Sequence, residues 1–379
     1  MGILIIDKLE SYIERKANSK YYSIILCFIL VFLSILFAYS PYINHDANSL
    51  TWQIIMLKAN DLTNSLSFLP KHTGLSKKVF RLTVPIFIRV FHLNISSVFI
   101  LQYIIGYGIL LYSYKLSIRI LSNVVISTFI VFGMSFIYFG RAAFVDVVNF
   151  WFDAWAFLFL VLTLYCQKTS LIFIFASFAA WTDERALIAL PIGILFHQIT
   201  NPYQGYSFKT FAKINIKSFS VILSITVYLF MRYLLGKFYN MHTPISADSD
   251  VSFNLIRQNI DFIPFGIWTF LEGFWIIIIV GILSTYLQKD YFLLCSLVIQ
   301  LLISIVVACC VHDITRSGSY IFPIVFVVLV YIKQKVDNIG LKSLGFQAAS
   351  ISFLFPAYFV IKTVNFYPNI IRTVIGKFL

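Results

Sequence analysis

YYSIILCFILVFLSILFAYS, residues 21–40, decides the fold class: it holds no charge and as a helix is long enough to cross about 30 Å of hydrocarbon. Blocks of the same character recur along the whole chain. Of its 379 residues, 60% are hydrophobic and 12% charged, with a mean hydropathy of +0.87. A soluble globular domain has roughly 45–50% and about 25%, so an ordinary soluble enzyme is excluded. The 40 Phe and 22 Tyr exclude a disordered chain. The apolar blocks are continuous rather than alternating, which excludes an outer-membrane barrel. The composition specifies an all-α, polytopic membrane protein.

Further spans are expected at about residues 95–114, 123–139, 152–166, 216–235, 264–287, 291–311, 320–332 and 344–361. Residues 171–181 and 186–196 are apolar runs on either side of Asp183-Glu184-Arg185. Each rises only about 16 Å as a helix. They form either one kinked span with a buried charge cluster or two short helices meeting at the charges, and the second keeps the later topology consistent. The total is about eleven crossings, within a range of about 9–12, in a single transmembrane domain over residues 1–379. Residues 41–93 make the first outer loop. Within it, 48–58 and 62–69 read as short amphipathic helices on the membrane surface, and 79–93, with Arg81, Pro85, Arg89 and His92, as an interfacial or buried segment. The charged first 20 residues and the lack of a small-residue cleavage site make 21–40 a retained span rather than a signal peptide.

The 29 basic and 16 acidic residues give a formal charge of +13. Because the basic residues sit between apolar blocks, they read as topology anchors and lipid-phosphate contacts in the bilayer, not as a nucleic-acid surface. With a cytoplasmic N-terminus, the inner loops carry Lys115, Arg119, Lys168, Lys209, Lys213, Lys217, Lys289, Lys333, Lys335 and Lys342. Eleven of the 16 acids then face outward. The cysteines Cys27, Cys166, Cys295, Cys309 and Cys310 lack metal-ligand spacing and read as small apolar residues. No phosphate-binding glycine loop or zinc-protease motif is present.

Ionisable residues at apolar edges cost several kcal/mol unless paired or hydrated, which makes each a functional candidate. Four places qualify, all on the outer side: Asn44-His45-Asp46; Arg141, Asp146 and Asp153; Asp183-Glu184-Arg185; and His312-Asp313-Ile314-Thr315-Arg316. Each has a structural alternative. Asp46 can cap the following helix, Asp183-Glu184-Arg185 can seal two helices, and Asp313 and Arg316 can pair at i, i+3. Together they place carboxylates and guanidinium groups on one face. A carboxylate can take a proton from an attacking hydroxyl while arginines hold a phosphate leaving group, the combination needed to transfer a sugar from a lipid phosphate.

An acid in the first outer loop just after span 1 resembles the GT-C superfamily of polyprenyl-phosphate-sugar-dependent glycosyltransferases. FVDVVNFWFDAWAFLFLVL (residues 144–162) is similar to the segment entering span 4 in small bacterial members. AAWTDERALIALP (179–191) resembles their paired short helices, and HDITRSGSYIFP (312–323) a later outer loop. The large outer soluble domain of many members is lacking. The resemblance implies an inner-membrane enzyme with its active site on the outer, periplasmic face. Asp46 would be the general base of an inverting transfer to a glycan or lipid-linked acceptor. Arg141, Arg185 or Arg316 would hold the donor phosphate, with Arg81 and Lys78 as secondary candidates. His45, Asp146, Asp153, Asp183, Glu184, His312 and Asp313 would support them. Some members use a divalent metal; this sequence offers no clear ligand set. The rival readings are an O-antigen or capsular polysaccharide polymerase acting on polyprenyl-diphosphate oligosaccharides, and a lipid flippase or transporter. The modest outer loops and the absence of an internal repeat argue against them.

Overall fold

Helices follow the apolar blocks. The computed structural model describes residues 2–17, 19–38, 50–67, 76–145, 152–200, 213–241, 254–355, 358–361 and 363–366. In chain order these include α1 (Gly2–Ala17), α2 (Tyr22–Ala38), α3 (Leu50–Asn60), a 3₁₀ turn (Ser76–Phe80), α4 (Thr83–Phe91) and α5 (Ile95–Leu121). Then come α6 (Val124–Phe136), α7 (Tyr138–Val145), α8 (Asp153–Tyr165), α9 (Thr169–Thr182), α10 (Ala186–Ile199) and α11 (Ile216–Tyr239). The remainder is α12 (Asn254–Asn259), α13 (Ile263–Leu271), α14 (Trp275–Leu287), α15 (Tyr291–Cys309), α16 (Ile314–Ser319), α17 (Pro323–Ile332) and α18 (Asn338–Leu354), followed by a β-hairpin, β1 (Tyr358–Ile361) and β2 (Thr363–Phe366).

Among the described residues five helical stretches are long and apolar enough to cross a membrane: Ile95–Leu121, Ile216–Tyr239, Asn254–Leu287, Tyr291–Cys309 and Ile314–Ile332. The α6–α7 pair, bent by 55°, makes up to six. Tyr22–Leu36, Asp153–Tyr165, Thr169–Thr182 and Ala186–Ile199 are apolar but shorter. The architecture is almost wholly helical and compatible with a membrane protein; the expected eleven crossings go beyond these five or six. α17 is apolar all round, and all ten of its residues are buried, as such a helix requires. It lies against α10, α14 and α5 at the centre of the bundle.

Local chemistry sets the helix starts. Asn94, Asn123, Asn215 and Asp337 each accept a backbone N–H of the first turn with the side chain, at 2.7–2.9 Å. The bend between α6 and α7 falls at Ile137, which is extended. It needs Gly140, because a Cβ there would stand 2.1 Å from the carbonyl oxygen of Met134. The bend aims Tyr138 and Arg141 back into the bundle, where both are buried.

Residues 170–197 form two separate helices, α9 and α10, parted by the three charged residues. Two expectations need correction. Residues 62–67 are turn, not surface helix. Asp61 Oδ1 accepts the backbone N–H and hydroxyl of Thr63, and the buried Lys58 ammonium donates to the carbonyls of Leu62 and Asn64. The first-loop helix α3 does form; it buries Trp52, Ile54, Ile55, Lys58 and Ala59, with Trp52 against Phe99 and Phe152, and leaves Leu50, Gln53 and Asn60 exposed. The last span, expected to reach residue 361, stops at Leu354 because Phe355 precedes a proline and is driven extended. The chain is therefore not purely α: β1 pairs antiparallel with β2 and bridges to Asp313 through Ile361.

Candidate functional site

Three segments converge on the N-terminal end of α8. The turn after α9 is held by Asp183, which ends that helix and accepts the Arg185 backbone N–H at 3.0 Å. The stretch entering α4 is tied to α9 by Leu82 N–H donating to the Trp181 carbonyl at 2.8 Å and the Thr83 hydroxyl to Phe178 at 2.9 Å. That tie sets Arg81 over the 183–185 turn. The third segment is α16, whose first turn is capped by Asp313. It packs closely on α13: a Cβ at Gly318 would fall 1.9 Å from the Phe270 ring, and the Thr269 and Thr315 hydroxyls are 2.6 Å apart. β1 locks its other side, with Val360 N–H donating to the Thr315 hydroxyl at 2.9 Å.

The result is an unbroken alternation of charges: Glu184, Arg81, Asp183, Arg185, Asp153, Arg316, Asp313. Arg81 reaches Glu184 at 3.1 Å and Asp183 at 3.0 Å. Arg185 bridges Asp183 at 2.8 Å and Asp153 at 2.7 Å, and Arg316 bridges Asp153 at 2.7 Å and Asp313 at 2.8 Å. Asp153, only 1% exposed, is the hub. Its Oδ1 accepts from Arg185 and the Tyr320 hydroxyl, and its Oδ2 from Arg316 and the Tyr138 hydroxyl. Arg185 also donates to the Ser317 hydroxyl and lies over the Tyr320 ring. Four carboxylates against three guanidinium groups leave one net negative charge. With four donors on it, Asp153 is a positioning group; taking a proton there would break two ion pairs.

The chain of charges opens outward at Arg81 and Glu184, whose side chains are 19% and 32% exposed. At that end Lys58, Lys78 and Arg81 line one pocket together with Phe152, the residue before the Asp153 hub. Burial pushes the Lys58 ammonium down to about 8, against a small opposing pull from Asp61. Burial by itself raises the Asp183 carboxyl, but Arg185 and Arg81 outweigh it and hold that carboxyl below the usual range. Burial likewise opposes the Arg81 charge, and Asp183 and Glu184 overcome it. Charged neighbours thus decide the state of Asp183 and Arg81, and burial that of Lys58.

Of the residues singled out from sequence, Arg81, Asp153, Asp183, Glu184, Arg185, Asp313 and Arg316 meet here, and His312 adjoins Asp313. Asp46, His45 and Asp146 lie outside the described residues. Arg141 stands apart from the cluster: fully buried, it donates to the Phe136 carbonyl at 2.9 Å and pairs with Glu272 at 3.5 Å. Sequence reasoning missed Tyr138, Tyr320, Ser317 and Glu272. Tyr320 follows Arg316 by four residues, a helical spacing that could have flagged it. Among the described residues no group of three or more His, Cys, Asp and Glu is placed to hold a metal ion. Compared with models of known protein families, with curated proteins and with solved structures, the chain matches none.

Proposed function

We propose that the chain is a glycosyltransferase of the GT-C kind, with about eleven crossings of a bacterial inner membrane. It moves a sugar from a polyprenyl-phosphate donor to a glycan or lipid-linked acceptor on the outer face. The acceptor oxygen attacks the anomeric carbon, the bond to the phosphate oxygen breaks, polyprenyl phosphate leaves, and Asp46 takes the acceptor proton. Arg81, with Lys78, receives the phosphate. Arg185, Arg316 and the carboxylates between them hold the helix ends that carry this edge.

The observation that supports the reading is the alternating charge chain ending in a cationic pocket. Burying charges is expensive, and an apolar replacement would serve stability as well or better, so such a cluster among apolar helices points to function. Its open end carries cationic side chains, of the kind that donate to phosphate oxygens. The pocket itself, about 20 Å³, admits no more than a water, so a phosphate would lie over the partly exposed Arg81 rather than inside it. The test is sugar transfer by purified protein in detergent, supplied with polyprenyl-phosphate monosaccharides, for wild type and Asp46→Asn. Loss of a general base lowers the rate by roughly 10²–10⁴. Unimpaired transfer by the variant would remove Asp46 from the mechanism. Chain growth from a diphosphate-linked oligosaccharide, with no monosaccharide transfer, would make the protein a polymerase instead.

A further inference from the structure

A second cavity lies at the far ends of the helices that carry the charge network. α8 and α10, of 13 and 14 residues, run from the network to this cavity, a distance of about 20 Å. It measures about 380 Å³ and is lined by Arg119, Lys217, Lys333 and His197, with no carboxylate among its described lining residues. That size falls in the range of small-ligand sites, about 300–1,000 Å³. Its floor is apolar, including Phe196 and Val330.

The three cations are held in place by neutral groups. Arg119 donates to the Tyr165 and Leu164 carbonyls at the end of α8. Lys217 donates to the Gln167 amide oxygen, and Lys333 to that of Asn338 at 3.1 Å. The His197 ring is fixed on the Thr163 carbonyl at 3.0 Å. Such contacts orient the charges without neutralising them, unlike the charge network, where every arginine meets a carboxylate. Beside Lys217 on α11, Ile216 and Phe219 are exposed, 70% and 53%. A cationic rim over an apolar floor, next to an uncovered apolar helix face, matches an amphiphile with an anionic head.

We propose that this cavity binds the phosphate group of an anionic phospholipid, the head between Arg119, Lys217 and Lys333 and the acyl chains along α11. The site is independent of whatever reaction the charge network serves. Purified protein in neutral detergent would be titrated with short-chain phosphatidylglycerol, short-chain phosphatidylcholine, glycerol 1-phosphate and inorganic phosphate. The expected result is saturable phosphatidylglycerol binding, tighter than phosphatidylcholine by about tenfold or more. The double variant Lys217→Gln/Lys333→Gln should lose about that factor, while Lys217→Arg/Lys333→Arg keeps it. Thermal unfolding without ligand checks that the fold is intact; should the double variant fail to fold, Lys333→Gln alone reads a smaller loss in the same direction. Glycerol 1-phosphate or inorganic phosphate binding as tightly as phosphatidylglycerol would keep the phosphate site but overturn the lipid as its source. Equal affinity for both lipids, or no effect of removing the lysines, would overturn the site.

Discussion

Arg316 Nε donates to Asp153 Oδ2 at 2.7 Å across 163 residues of sequence, and this contact closes the charge network between the α8 and α16 ends of the bundle. Removing the Asp153 carboxylate leaves Arg185 and Arg316 each without their shared partner. Asp153→Ala should therefore cost about 3–5 kcal/mol. Asp153→Asn should cost less, since the amide oxygen still accepts from one arginine. Chemical unfolding of both variants in detergent measures the difference, and equal stability of Asp153→Ala and wild type would remove Asp153 as the hub.

The two tyrosines on Asp153 give a finer test. Tyr138→Phe and Tyr320→Phe each delete one hydroxyl donating to a charged acceptor, worth about 1.5–3 kcal/mol. Because both bonds end on one carboxylate, the double variant should depart from the sum of the singles. Additive losses would mean that the two hydroxyls act independently.

The close approach of α16 to α13 predicts overpacking. In Gly318→Ala the new methyl would stand 1.9 Å from the fully buried Phe270 ring, so the helices must separate, at about 1–3 kcal/mol. Phe270→Leu in the same chain should recover part of that loss. A Gly318→Ala variant as stable as wild type would place the two helices farther apart than described.

Lys58 sets a pH dependence. Its folded value of about 8 lies below the ordinary lysine value of 10.5, so between these two the unfolded chain binds more protons. Stability should rise as pH goes from 8 to 10.5, by a few kcal/mol at most. The neutral amine still has two N–H groups for the carbonyls of Leu62 and Asn64. Lys58→Met should lack the rise, and comparing both proteins at pH 8 and 10 cancels the other titrating groups.

Much of this organisation is legible in the sequence because the bilayer imposes a coarse pattern: long apolar blocks read as helices, and charges at their edges stand out. Three of the four singled-out places supply the network. Their partners are less legible, since Tyr138 and Tyr320 are two among 22 tyrosines, and hydrophobicity does not distinguish a hydroxyl that meets Asp153 from one that faces lipid. The pairing of Arg141 with Glu272 rather than with Asp153 follows from the α6–α7 bend, which a backbone carbonyl at Met134 and a glycine define together. The hairpin after α18 escapes an apolar count because strand and span share the same residues there; only the proline marks the change.

Arg81 carries the final test of the proposed reaction. Its guanidinium is divided between Asp183, which is buried, and Glu184, which is partly exposed. A donor phosphate arriving at the pocket must compete with Glu184 for the outer face of that group. Arg81→Gln should raise the KM for a polyprenyl-phosphate sugar by about 10–100-fold, the loss of one charge-assisted contact. Glu184→Gln should lower that KM, because the competing carboxylate is gone while Asp183 still holds the arginine in place. If both substitutions raise KM alike, Arg81 and Glu184 act only as a structural pair, and the phosphate must be received elsewhere.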